Sequence, residues 1–169
     1  IKAAGGTAAA PAGGAPATES AADKAKREEM IKKNAEIEAT NKKITESNEV
    51  IARTFKAGNE ALTAANLASK DKKSDEAIQK YTEAVTQYDQ GLAADPDQPA
   101  ILTNKAVALK ARGVERFNAA ITSKSEDEAA KNAALQQAKD DFKAAAEASG
   151  KAATMIKAQA APTDAAEVP

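Results

Sequence analysis

From Ser20 to about Ser69 the chain places large apolar residues at a fixed interval. Met30, Ile37, Ile44 and Ile51 recur every seven residues, and Asn34, Asn41, Asn48 and Phe55 recur every seven on the adjoining seam. The steps alternate between four and three, a heptad with Ile or Met at d and Asn at a. Continuing the register puts Leu62 at a, and Gly58 and Ala65 at d. No proline interrupts the run, so the spacing predicts one helix over 20–69, about 75 Å long at a rise of ~1.5 Å per residue. Lys70-Asp71-Lys72-Lys73 breaks it. Ser74 is the expected N-cap of the next helix, with Asp75 and Glu76 in its first turn.

The second helix is expected over 75–94. Its Ile78, Tyr81, Val85, Tyr88 and Leu92 alternate by three and four, and Asp95-Pro96 ends it. Asp97 is the expected cap of a third helix over 98–123, with Pro99 tolerated in its first turn. That helix carries two rows, Leu102, Ala106, Leu109, Gly113 and Ala100, Val107, Val114, Ile121. Two rows predict a helix sandwiched between neighbours. Ser125 and Glu128 read as a capping box opening a fourth helix over 126–158. It has Leu135, Phe142 and Ile156 on one row and Ala138, Ala145 and Ala152 on the other. Alanine seams allow close approach of helix axes.

Composition narrows what these helices can build. Alanine fills 45 of 169 positions, while Leu, Ile, Val and Phe total only 23. That is below the ~20% at which disorder becomes a concern, but a net charge of −1 removes the charge half of the disorder signature. A thin, alanine-packed helical architecture fits; a thick sheet-based core does not. The chain has no His and no Cys, which excludes imidazole and thiol chemistry, structural zinc sites and disulfides. Its 24 basic and 25 acidic residues are interleaved, with no basic stripe for nucleic acid and no apolar run of the ~20 residues that span a bilayer. Asp140-Asp141 is a carboxylate pair, read as lying on a solvated helix without a pocket.

Residues 1–18 hold four of the eight glycines, two of the six prolines and one charge, Lys2. This reads as a flexible, low-complexity arm. Ile1 is its only large apolar side chain, and a neighbouring subunit is the simplest anchor for it. An opening at Ile1 rather than Met fits a mature, exported product or an excised fragment. The first reading places the chain outside the cell or in its envelope.

Residues 84–96 resemble the end of a tetratricopeptide repeat. Ala84, Tyr88, Gly91 and Pro96 have that family's small, aromatic, small, proline spacing, and Asp95-Pro96 is similar to its usual exit from the second helix. Gly58 in Lys56-Ala57-Gly58-Asn59-Glu60-Ala61-Leu62 looks like the family's small first-helix residue. The run from Gly58 to Ala84 exceeds the family's by two heptads, one for each helix. A weaker second unit matches Ala106, Leu109 and Gly113, then Ala138, Phe142 and Ala145. Thr54 and Ala61 stand where the family has aromatics, and no proline closes the second unit near Gly150. The resemblance covers about residues 50–158.

The expected fold is therefore all-α: tetratricopeptide-like antiparallel hairpins with elongated helices, in an α-solenoid or a four-helix bundle. An arm (1–19) precedes an overhanging coiled-coil-like segment (20–47), the helical domain (48–159) and a tail (160–169). The second helix is too short to cover the first, so the Met/Ile row near 20–45 is expected to lie exposed. The three asparagines either decorate a wet face or pair across a helix seam, where buried Asn fixes register and partner number.

Two functions follow as expectations. One is a non-catalytic structural protein that self-assembles, as a ring or filament, through Ile1 and the stripe Met30, Asn34, Ile37, Asn41, Ile44, Asn48, Ile51. The other is a monomeric interaction module binding a peptide of another protein. For that module the resemblance implies a groove, with Asn104 and Lys105 as candidates to hold carboxylates. No cofactor, metal, nucleic acid, membrane span or small-molecule substrate is expected.

Overall fold

The computed structural model describes residues 20–123 and 127–160. They form four α-helices and no strand: α1 (Ala21–Lys70), α2 (Ser74–Ala94), α3 (Pro99–Thr122) and α4 (Glu128–Ala160). Each range lies within two residues of the expected one. The chain divides into two compact units, Ile1–Lys42 and Lys43–Pro169.

In the first unit the described residues are one helical stretch. Ser20 caps it: its Oγ accepts from the Asp23 N–H at 3.2 Å and donates to the Asp23 carboxylate at 2.7 Å. Glu29 and Lys33 pair at 2.8 Å one turn apart. Every residue from Ala21 to Lys42 is exposed, so this stretch has only helix propensity and local pairs in its favour.

Among the described residues, all of the buried side chains lie in the second unit. Its main cluster is built from Ala65 and Ala68 of α1, Ala77, Tyr81, Ala84, Val85 and Tyr88 of α2, Ile101, Ala108 and Leu109 of α3, and Ala145 of α4. A smaller cluster joins Leu102 and Ala106 to Ala148 and Ala152. Large residues come mostly from α2 and α3, and α1 and α4 supply small ones, as alanine seams require. Gly58 shows why: a Cβ there would lie 2.5 Å from Tyr88 Cε1.

The buried seam of α1 follows the expected d row and is widened on its g side. Ile51, Gly58 and Ala65 at d face inward or partly so, Phe55 and Leu62 at a pack half-buried against the core, and Thr54, Ala61 and Ala68 at g join them, whereas Asn48 at a is exposed. Gly58 lets the Tyr88 ring seat against α1. The second row expected on α3 is corrected. Val107, Val114 and Ile121 are 49%, 41% and 59% exposed, whereas Ile101 and Ala108 are 2% and 0%. α3 meets α2 and α4 through positions one residue from the row with the greater bulk. On α4 the alanine row is buried, and Phe142 and Ile156 are exposed.

Turn chemistry departs from expectation at three caps. Ser74 does not cap α2; its hydroxyl donates to Glu115 of α3 at 2.8 Å, beside Ser69, whose hydroxyl donates to the same carboxylate. α1 closes in a Schellman arrangement, with Lys72 N–H to Ser69 O at 3.0 Å and Lys73 N–H to Ala68 O at 2.9 Å. Lys72 takes the left-handed position at φ 60°. Asp97 does not cap α3: Gln98 stands at that position, and the Asp95 carboxylate accepts from Asp97 N–H at 2.9 Å and Gln98 Nε2 at 2.6 Å. These bonds hold Asp95 below the ordinary carboxylate range. Ser125 lies outside the described residues; Asp127 accepts from Ala130 N–H at 3.0 Å and caps α4.

Candidate functional site

Among the described residues no three Asp or Glu side chains cluster as a metal site, and no buried side-chain nitrogen or oxygen lacks a hydrogen-bond partner. Asp141 corrects the expectation of a solvated carboxylate pair: it is 4% exposed. Arg112 grips it through Nε at 3.0 Å and Nη2 at 2.5 Å, and Arg116 Nη1 adds a contact at 2.7 Å. Arg112 Nη1 also donates to Thr82 Oγ1 at 3.1 Å. With Thr82, this triad ties α2, α3 and α4 together. Asp140 is exposed and accepts from Gln136 at 2.9 Å.

A second polar cluster joins α1, α2 and α3. Asn59 Oδ1 accepts from the Tyr88 hydroxyl and from Asn104 Nδ2, both at 2.8 Å. Burial pushes the Tyr88 hydroxyl up to about 12, partly opposed by its hydrogen bond with Asn104. Tyr81, which donates to Asn66 Oδ1 at 2.7 Å, is also raised, by burial and then by the Glu115 carboxylate. Lys105 reaches Asp89 at 2.6 Å. Asn104 and Lys105 thus each hold a partner within the chain and fasten α3 to its neighbours.

The remaining candidates are surfaces. Met30, Ile37 and Ile44 are 64%, 56% and 53% exposed. Asn34, Asn41 and Asn48 are exposed with them, while Ile51 is half-buried at the edge of the core. Ile1 lies outside the described residues. Ile31, 61% exposed beside Met30, was not singled out from the sequence, although it occupies the e position next to the d row. On α3 the row Val107, Val114 and Ile121, expected to be buried, is exposed, and Phe117, which the sequence reading does not place on it, is exposed as well. An open groove between α1 and α2 runs past Ala57, Ala61 and Ala64 on one side and Gln79, Glu83 and Gln87 on the other. Another lies between α3 and α4, past Val107, Lys110 and Phe142. Glu60 and Lys80 also line the first groove, where Lys80 pairs with Glu83 at 2.7 Å.

No helix of the described residues is long and apolar enough to cross a membrane. No protein-family model matches the chain, and comparison with curated proteins and with solved structures returned no match.

Proposed function

We infer that the chain is a non-catalytic structural subunit that self-assembles, as a ring or filament, with α1 and the arm of residues 1–19 as its contact elements. One observation carries this: the heptad row Met30, Ile37, Ile44 stands more than half exposed over three successive repeats. Heptad spacing is the pattern of a helix that packs lengthwise on another helix. A contiguous exposed apolar stripe marks an interaction surface. The exposed row on α3 supplies a second apolar face on a different helix, and a subunit with two faces can extend beyond a closed pair.

The test is light-scattering mass across a concentration series, with negative-stain images of the largest species. Mass rising with concentration into regular particles, and its loss on deleting residues 1–18 or on Ile37→Asp, is the expected result. A monomer of 17.4 kDa at every concentration would reject the reading.

A second reading, a tetratricopeptide-like module that binds another protein's peptide, has its own support. Gly58 lies against the Tyr88 ring and Gly113 against the Phe142 ring, where an added Cβ would come within 2.5 Å and 2.8 Å of ring carbons. Ala84, Tyr88, Gly91 and Ala138, Phe142, Ala145 repeat one spacing, which is what two copies of one elongated hairpin would give. A monomer captured by an acidic peptide, with loss of binding in Lys105→Ala, would favour this module over the assembly.

A further inference from the structure

The exposed stripe of α1 is chemically matched to itself. With Met30 and Ile37 at d and Asn34 and Asn41 at a, the flanking g positions are Lys26 and Lys33 and the flanking e positions are Ile31 and Glu38. In a parallel, in-register coiled coil each g residue meets the e residue five places further along the partner. Lys33 then meets Glu38, twice by symmetry. Lys26 meets Ile31, whose 61% exposed side chain would lie under the lysine's aliphatic stem. Asn34 meets Asn34, the one partner that offers both a donor and an acceptor amide to an asparagine at that depth. Lys33 is now occupied only by Glu29, in a pair whose side chains are 66% and 65% exposed. Such a pair is weakly held and leaves Lys33 available to a second acceptor.

We propose that the Met30–Asn41 face of α1 docks on the same face of a second copy of this chain as a parallel, in-register helix pair. Ile31 and the Lys33–Glu38 pair set its register. The proposal rests on the assembly reading and narrows it to one contact geometry.

The chain has no cysteine, so a single introduced thiol reports on register without background. Asn34→Cys puts the thiols of a parallel in-register pair opposite one another at the axis, within reach of a disulfide. Ala35→Cys puts them at the outer b position. Under mild oxidation Asn34→Cys is expected to give a covalent dimer at least tenfold faster than Ala35→Cys, an order-of-magnitude expectation from the separation of the two positions. Charge exchange tests the same register without a covalent bond. Lys33→Glu and Glu38→Lys each place like charges opposite one another and are expected to weaken association about tenfold. An equimolar mixture restores both attractive pairs and is expected to recover the original affinity. Both variants are at exposed positions, and unchanged helical circular dichroism confirms that they fold.

Equal cross-linking of the two cysteine variants, or a mixture that associates no better than its components, would overturn the parallel pair. If the unsubstituted chain still gains mass with concentration, the assembly reading stands and only this contact fails. A monomer at every concentration would remove both.

Discussion

Gly58 sits in the interior of a 50-residue helix, where alanine is ordinarily better by about 1 kcal/mol. Packing reverses that preference, because an added Cβ would meet three atoms of the Tyr88 ring at 2.5–2.9 Å. Gly58→Ala is expected to destabilise the fold by about 1–3 kcal/mol, the usual range for overpacking. Gly150, in α4 with nothing within 4 Å of its added Cβ, is the control: Gly150→Ala should stabilise by about 0.5–1 kcal/mol. Urea midpoints for the two variants should move in opposite directions. Tyr88 makes a second residue-scale prediction. Its hydroxyl is raised from 10.0 to about 12, so the folded state holds the phenolic proton more tightly than the unfolded chain. The contribution is complete below pH 10 and is lost as pH rises toward 12. A shift of this size is worth about 2–3 kcal/mol at full loss. Tyr81 and Tyr88 are the only tyrosines, and both are raised. Phenolate absorbance should therefore appear together with loss of helical circular dichroism above pH 10. Ionisation of both at pH 10 with the helices intact would contradict the burial argument.

At the scale of elements, helix ends were legible because they rest on local chemistry. Asp95-Pro96 stops α2, and Pro99 starts α3. The buried faces were less legible. Counting bulk favours the Val row on α3, which stands exposed, and passes over Thr54 of α1, which lies off the d and a rows and is buried beside Gly91 of α2. Asp141 could not be found from the sequence at all. Its partners lie 25 and 29 residues away on another helix, and no spacing within α4 marks it. Removing it strands two guanidinium groups that are 12% and 20% exposed. Asp141→Ala should cost about 3 kcal/mol, the low end for breaking a buried ion pair, whereas exposed Asp140→Ala should change stability by less than about 0.5 kcal/mol. Thermal unfolding followed by circular dichroism separates them. The exposure of the Met30, Ile37, Ile44 row, by contrast, was legible for a reason of length: among the described residues a helix of 50 residues has no partner of its own size, the other helices having 21, 24 and 33.

For the whole molecule, two exposed apolar rows make different demands on an assembly. A parallel pairing of α1 is isologous: it joins two copies and then closes. Growth into a ring or filament needs a second, independent contact. The α3 row, with Val114 and Phe117 at 41% and 44% exposure, is one apolar face available among the described residues. Substituting each row separately should therefore stop assembly at different sizes. Ile37→Asp places a charge in the α1 seam and should leave monomers, because the α3 row then meets its partner once rather than from two paired subunits together. Val114→Asp spares that seam and should leave dimers, with no larger species at any concentration. Sedimentation velocity resolves the two. If Val114→Asp still grows into large particles, the second contact is not the α3 row and falls to the arm of residues 1–19, which deletion of 1–18 tests directly. If Ile37→Asp also grows, α1 is not a contact at all, and the exposed heptad row loses its place in the assembly.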